Sequence, residues 1–209
     1  MSDATLDTLR GIVGPANLIH GVDCSPYVIE GRTPVAAVFP GSVEEVSAVL
    51  ALANEAALPV TPWGGGTAIS VGAPPARLGI VLGLGRMHRV LEHEPGDLTA
   101  TVQAGATIRH LQAALTARGQ WLSLDPPDPD RATIGGVLAA NASGSRRHLY
   151  GTSRDLLIGV AVVCADGAVI HGGGKVVKNV AGYDLPKRFV GAFGTLGVIV
   201  EATLKLRPR

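Results

Sequence analysis

Between Thr33 and Trp63 an apolar run, a capped amphipathic stretch and a second apolar run follow one another, and few folds accept that order. "TPVAAVF", from Thr33, reads as a buried strand broken by Pro40-Gly41. Ser42 then opens a helix with Glu45 three residues on, the spacing of a capping box. Val46, Val49, Leu50 and Ala53 give that helix one apolar face. "LPVTPW" is a second short strand. Strand, helix and strand make a βαβ unit, whose strands run parallel with a right-handed crossover. "LGIVLGL", from Leu78, adds a third strand.

The pattern changes after Leu84. "RVLEHEPGDLTATVQAG" reads as a hairpin turning at Pro95-Gly96-Asp97. Thr107 caps a helix with Ile108, Leu111 and Leu115 on one face, stopped by Gly119. From Asp125 to Tyr150 the chain is irregular, and so long a stretch inside a domain signals function. "LLIGVAVVCADGAVIHGG" is a hairpin with a two-residue turn at Asp166-Gly167. "DLPKRFVGAFG" is a short helix with Pro186 near its start. In "GVIVEATLKLRP", Val198, Val200, Ala202, Leu204 and Leu206 share one face, and Glu201, Thr203, Lys205 and Arg207 the other. That alternation predicts an antiparallel sheet covered on one side. The reading is α+β: a small βαβ parallel lobe, about residues 1–84, and a larger lobe, about 85–209, with an antiparallel sheet and flanking helices.

A chain of 209 residues, 46% hydrophobic and 17% charged, has ample material for a core and lacks the composition of disorder. Its formal net charge of +1 gives no electrostatic footprint for nucleic acid. No apolar run is long enough to span a membrane, and the first residues lack a signal-peptide pattern. Two cysteines, Cys24 and Cys164, cannot alone hold an iron–sulfur cluster or a structural zinc. Cys164 reads as a buried small hydrophobe and Cys24 as a free thiol in a polar loop. The expected compartment is reducing and cytoplasmic, with any membrane association made through partners.

The glycines point to a ligand. "PWGGGTAI" follows the second strand, which excludes a dinucleotide loop after a first strand. It has no Gly-Lys-Ser/Thr ending, which excludes a Walker loop. What remains is a nest, in which residues without Cβ turn successive N–H groups toward one anion, or an ordinary tight turn. A second cluster, "TIGGVLAANASG", offers bare backbone at the start of a short helix, where the dipole favours negative charge. Two such regions suggest one long ligand held at several points.

These blocks, with "DPPDPDRATIGG", "NASGSRRHLYGTSRDLLIGVAVVCADG" and "KNVAGYDLPKRFVGAFGTLGVIVEATLKLRP", resemble the FAD-binding domain of the vanillyl-alcohol oxidase (PCMH-type) flavoproteins. Within that family the last signature is most similar to the flavin-binding E subunit of bacterial glycolate oxidase. D-lactate and D-2-hydroxyglutarate dehydrogenases carry a related version. The resemblance implies FAD between the two lobes, with Pro62, Trp63, Gly64, Gly65, Gly66, Thr67, Ala68 and Ile69 around the pyrophosphate. It places Asp125, Pro126, Thr133, Ile134, Gly135, Gly136, Asn141, Ser143 and Gly144 along the ribityl chain and flavin. Gly197, Val198 and Ile199 fall at the adenosine end, and Gly105 matches a further cofactor-side position. Covalent attachment in the family uses a histidine in the glycine loop, sometimes with a later cysteine. This loop has neither, so non-covalent FAD is expected, with no metal.

The chain stops at Arg209, where the family's FAD domain ends; larger members continue into a cap domain that supplies substrate-binding residues. The expectation is therefore a FAD-binding subunit of a 2-hydroxyacid oxidoreductase, glycolate oxidase or dehydrogenase foremost. The alternatives are a non-catalytic flavin-binding scaffold in a larger complex and a D-lactate dehydrogenase component. Expected partners are a larger flavoprotein and an iron–sulfur chain, or a second copy, because an uncovered flavin face favours association. No catalytic base stands out. Lys178, Asn179, Tyr183 and Asp184 occupy a loop near the flavin by resemblance, and Arg146, Arg147 and His148 form a small basic cluster.

Overall fold

In the computed structural model, which describes residues 1–174 and 185–209, the chain folds into two main sheets joined by one core. Helix α1 (Asp3–Val13) leads into β1 (Leu18–His20) and β2 (Ala36–Val38). Then come α2 (Val43–Glu55), β3 (Val60–Trp63) and β4 (Ile80–Gly83). Ser42 caps α2 by accepting the Glu45 N–H, and Glu45 returns a bond to the Gly41 N–H at 2.7 Å. The sheet order is β1-β2-β4-β3. The βαβ strands β2 and β3 are parallel as expected, with β4 inserted between them. Unforeseen β1 adds an antiparallel edge.

The second sheet is built from β5 (Val90–Glu94), β6 (Thr99–Gln103), β8 (Leu157–Val163), β9 (Val169–Gly173) and β10 (Val198–Lys205), in the order β5-β6-β10-β8-β9. All its pairings are antiparallel. Around it lie α3 (Ile108–Thr116), β7 (Gln120–Trp121), α4 (Ile134–Ala140), α5 (Arg147–Tyr150), α6 (Ser153–Leu156), α7 (Pro186–Phe189) and β11 (Arg207–Pro208). Buried residues of both sheets, Val38 and Leu82 in one and Val102 and Leu204 in the other, belong to a single cluster.

Three local expectations change. β10 sits at the centre of its sheet, and Thr203, assigned to the open face, is buried as well. The β8–β9 connection is wider than two residues: Cys164 and Ala168 close it, and Gly167 sits in it at φ 86°, the place of a bulge glycine. Cys24 is fully buried in a 3-10 turn while Cys164, at the mouth of the hairpin, is only half-buried. The polar loop around Cys24 folds onto β1, where its thiol reaches the Ile19 carbonyl.

Candidate functional site: a glycine-lined cleft between the sheets

The loop that leaves β3 forms one wall of an open cleft with a cavity volume of about 110 Å³. Gly66 takes φ 71°, a left-handed conformation that needs no Cβ, and stacks against the Trp63 indole. Among the described residues, no acceptor takes the N–H of Gly65, Gly66, Thr67 or Ala68. Four successive donors on one half-buried wall are costly unless water or a ligand meets them. The loop is braced from behind. The Arg131 guanidinium donates to the Gly65 carbonyl at 3.0 Å. A Cβ on Gly65 would overlap the Arg131 carbonyl oxygen, and one on Gly64 would overlap Thr133 Oγ1. The missing side chains of these two glycines therefore serve the loop–loop contact, and the loop's unpaired amides border the cleft.

α4 supplies the second wall, in a way the sequence did not suggest. Its first amides are already engaged: Ile134 N–H donates to Ala106 O and Gly135 N–H to Ala104 O, both at 2.8 Å. Gly136 N–H bonds the capping hydroxyl of Thr133 at 3.3 Å. The start of the helix is thus pinned to the segment after β6 and does not offer bare amides. What it offers is a surface of small residues, Gly136, Ala139 and Ala140, against which a flat group can lie.

The third wall is Phe193, Gly194, Gly197, Val198 and Ile199, at the entry to β10. Phe193, 48% exposed, is fixed by its N–H to the Ala139 carbonyl at 2.9 Å. Leu84, Ala139, Ala140, Phe193 and Gly194 also line the cleft and were not singled out from sequence. Glycines on either side of Phe193 in "GAFGTLG" were the available signal.

The cleft thus brings together Pro62, Trp63, Gly64, Gly65, Gly66, Thr67, Ala68, Ile69, Thr133, Gly135, Gly136, Gly197, Val198 and Ile199. Other candidates lie elsewhere. Ile134 is buried in the core. Gly105 is packed on the Leu84 and Met87 carbonyls and donates to Met87 O. Asn141, Ser143 and Gly144 follow the far end of α4, with Asp125 beside them. The Asp125 carboxylate accepts the N–H groups of Gly144 and Arg146, both at 3.1 Å, and so shapes that turn; Pro126 next to it is buried. Asn141 ends α4 in the left-handed conformation and accepts the Ser153 hydroxyl at 2.8 Å. Ser143 Oγ is buried with no partner among the described residues. Lys178, Asn179, Tyr183 and Asp184 lie outside the described residues.

No charged side chain lines the cleft among the described residues, and none of its lining residues is a histidine or cysteine. The described residues include no cluster of metal-ligating side chains. Tyr27, edge-on to Trp63 at 5.3 Å, has its phenol pushed up by burial.

A parallel sheet with a donor-rich glycine loop at its strand ends, facing an antiparallel sheet across an uncharged cleft, defines a nucleotide-binding domain. The chain belongs to the FAD binding domain family, whose model matches residues 34–173. It is 38% identical to glycolate oxidase subunit GlcD of Bacillus subtilis, over 97% of this chain and 44% of the relative. It is 44% identical to a D-lactate dehydrogenase of Archaeoglobus fulgidus, over 98% of this chain and 46% of the relative. The chain thus spans less than half the length of these relatives. Among solved structures, alkyldihydroxyacetonephosphate synthase matches all of this chain and 41% of its own, with TM-score 0.86 and 25% identity. p-Cresol methylhydroxylase matches with TM-score 0.80 and 22% identity, over 100% of this chain and 44% of its own. The PCMH-type α+β fold expected from sequence is the fold observed.

Proposed function

We propose that this chain holds FAD non-covalently in the cleft and forms the flavin-binding part of a 2-hydroxyacid oxidoreductase, with glycolate the first substrate to test. The observation that carries the reading is the run of N–H donors from Gly65 to Ala68, without acceptors among the described residues, on an otherwise uncharged wall. Such a wall suits a diphosphate, whose charge is met by amide dipoles rather than by a lysine or a metal. Gly136, Ala139 and Ala140 give a flat surface beside it. α4, seven residues long, extends about 10 Å from there. Its far end presents Asn141, Ser143 and Gly144, and the unpartnered Ser143 hydroxyl suits the polar edge of a flavin. The two lobes meet near residue 84, and the cofactor would lie between them. When bound, FAD accepts two electrons and a proton from the hydroxyl-bearing carbon of its substrate. The residues of this chain bind and orient it and exclude water along α4.

Among the described residues, the cleft wall holds no nucleophile of the kind used for a covalent flavin link, which supports a dissociable cofactor. The absence of a titratable lining residue, among those described, favours a second reading: the chain organises flavin while another subunit supplies the base. Both readings call for a partner, either another oxidoreductase subunit or a second copy. Among the described residues, no helix is long and apolar enough to cross a membrane. The two free cysteines suit a reducing compartment such as the cytoplasm.

The test is to purify the chain, load it with FAD, precipitate it with acid, and separately add glycolate or D-lactate without oxygen. Loaded protein should be yellow, release all its flavin on precipitation, and bleach slowly when no partner is present. Failure to take up FAD would overturn both readings. Flavin retained in the precipitate would overturn non-covalent binding, and fast bleaching would overturn the scaffold reading.

A further inference from the structure

Far along the chain from the glycine loop, β11 pairs with β7 and sets Arg207 opposite Trp121. The Trp121 indole N–H donates to the Pro208 carbonyl at 3.1 Å, which fixes the ring. Tyr150, closing α5, meets it edge-on with centroids 5.2 Å apart. A guanidinium lies over each ring: Arg146 at 5.1 Å from the Trp121 centroid, and Arg207 at 4.7 Å from that of Tyr150. Two cations and two rings form one fixed array.

Among the described residues, Arg146, Arg147 and Arg207 make no ion pair. Arg207 Nε is buried without an acceptor. Asp125, close to Arg146, directs its carboxylate to the Gly144 and Arg146 N–H groups and the Ser145 hydroxyl. Beside the array, α5 exposes Arg147 and His148, and Leu149 stands 75% exposed.

A guanidinium stacked on a ring has one face covered and keeps its planar N–H edge for an acceptor, the geometry that matches a carboxylate. Holding it in advance lowers the entropy lost on binding. We propose that Arg146, Trp121, Tyr150 and Arg207 form a docking shelf for a partner protein that presents carboxylates around an apolar side chain, which Leu149 would meet. None of these residues lines the flavin cleft. The near-neutral charge of the whole chain does not supply the broad basic track that nucleic acid requires. This inference does not depend on the flavin reading.

A dye-labelled peptide of three Glu triplets separated by single leucines serves as the probe, with fluorescence anisotropy as the readout. It should bind and weaken as salt rises, while the matching Gln peptide should not bind. Paired changes Arg146→Gln and Arg207→Gln should weaken binding by about tenfold or more. Arg147→Glu, on exposed α5, should weaken it severalfold without altering the melting temperature, which guards against a folding artefact. Equal binding by the Gln peptide, tighter binding by single-stranded oligothymidylate, or no change in the Arg variants would overturn the proposal.

Discussion

At Gly65 the backbone of one loop lies so close to the Arg131 carbonyl that a single methyl group has nowhere to go. Gly65→Ala should cost about 1–3 kcal/mol of stability, as overpacking does, and should weaken FAD binding because the donors beyond it move. Gly96→Ala, where a Cβ meets open space, should leave both unchanged. Urea unfolding of the flavin-free protein and a flavin titration read the two effects. Arg131→Met removes the bond to Gly65 O and an exposed 3.5 Å ion pair with Asp128 that contributes little; about 1 kcal/mol should be lost, seen mainly as a severalfold weaker FAD affinity. A different residue contributes to the pH dependence. Asp155 accepts the Thr152 N–H and hydroxyl at 2.8 and 2.9 Å, which holds its carboxyl below the ordinary value of 3.8. A lowered folded-state value means that this contribution is complete above the unfolded value and fades as pH falls through the folded one. Asp155→Asn should therefore cost up to about 1 kcal/mol at neutral pH and flatten the acid limb of the stability curve. The residue-level chemistry was partly legible. Glycine positions could be read from sequence, but whether a missing Cβ serves a ligand or a neighbouring loop depends on Arg131 and Thr133, more than sixty residues away.

Elements with a full period of their own were readable. Val46, Val49, Leu50 and Ala53 on α2, and Ile108, Leu111 and Leu115 on α3, are all buried as their spacing required. Two-residue strands such as β7 and β11 have no period to detect, and β1 pairs only because β2 offers it an edge. α4 is the instructive case. Its cap, Thr133, was visible, yet its first amides are claimed by the Ala104 and Ala106 carbonyls, a long-range fact that no local pattern carries. The helix therefore acts as a rigid floor, not as a dipole end open to an anion. Thr133→Ala should destabilise the protein by about 1 kcal/mol and raise hydrogen exchange across α4. Because Gly64 rests on the Thr133 side chain, the same change should also loosen the glycine loop. β10 shows the other limit. Its alternation named one buried face correctly, while on the second Thr203 is buried and Glu201 and Lys205 are half-buried.

Across the whole molecule, the two sheets share a continuous core, and the Ser47 hydroxyl ties α2 to the β8–β9 hairpin by donating to Gly167 O at 2.6 Å. One core implies one unfolding transition, with fluorescence and circular dichroism changing together. A ligand that bridges both sheets should raise that transition as a unit. At FAD a hundredfold above its dissociation constant the gain is about 2.7 kcal/mol. The α+β class and most strands could be anticipated from residue patterns, but the closeness of the two sheets' approach could not, since it depends on side-chain-free contacts between distant loops. The central claim is that successive amides from Gly65 to Ala68 meet the diphosphate of a flavin dinucleotide. Displacement of bound FAD, followed by recovery of flavin fluorescence, tests it most directly. ADP, which carries the diphosphate, should compete, and riboflavin, which lacks it, should not. Competition by riboflavin with none by ADP would contradict the claim.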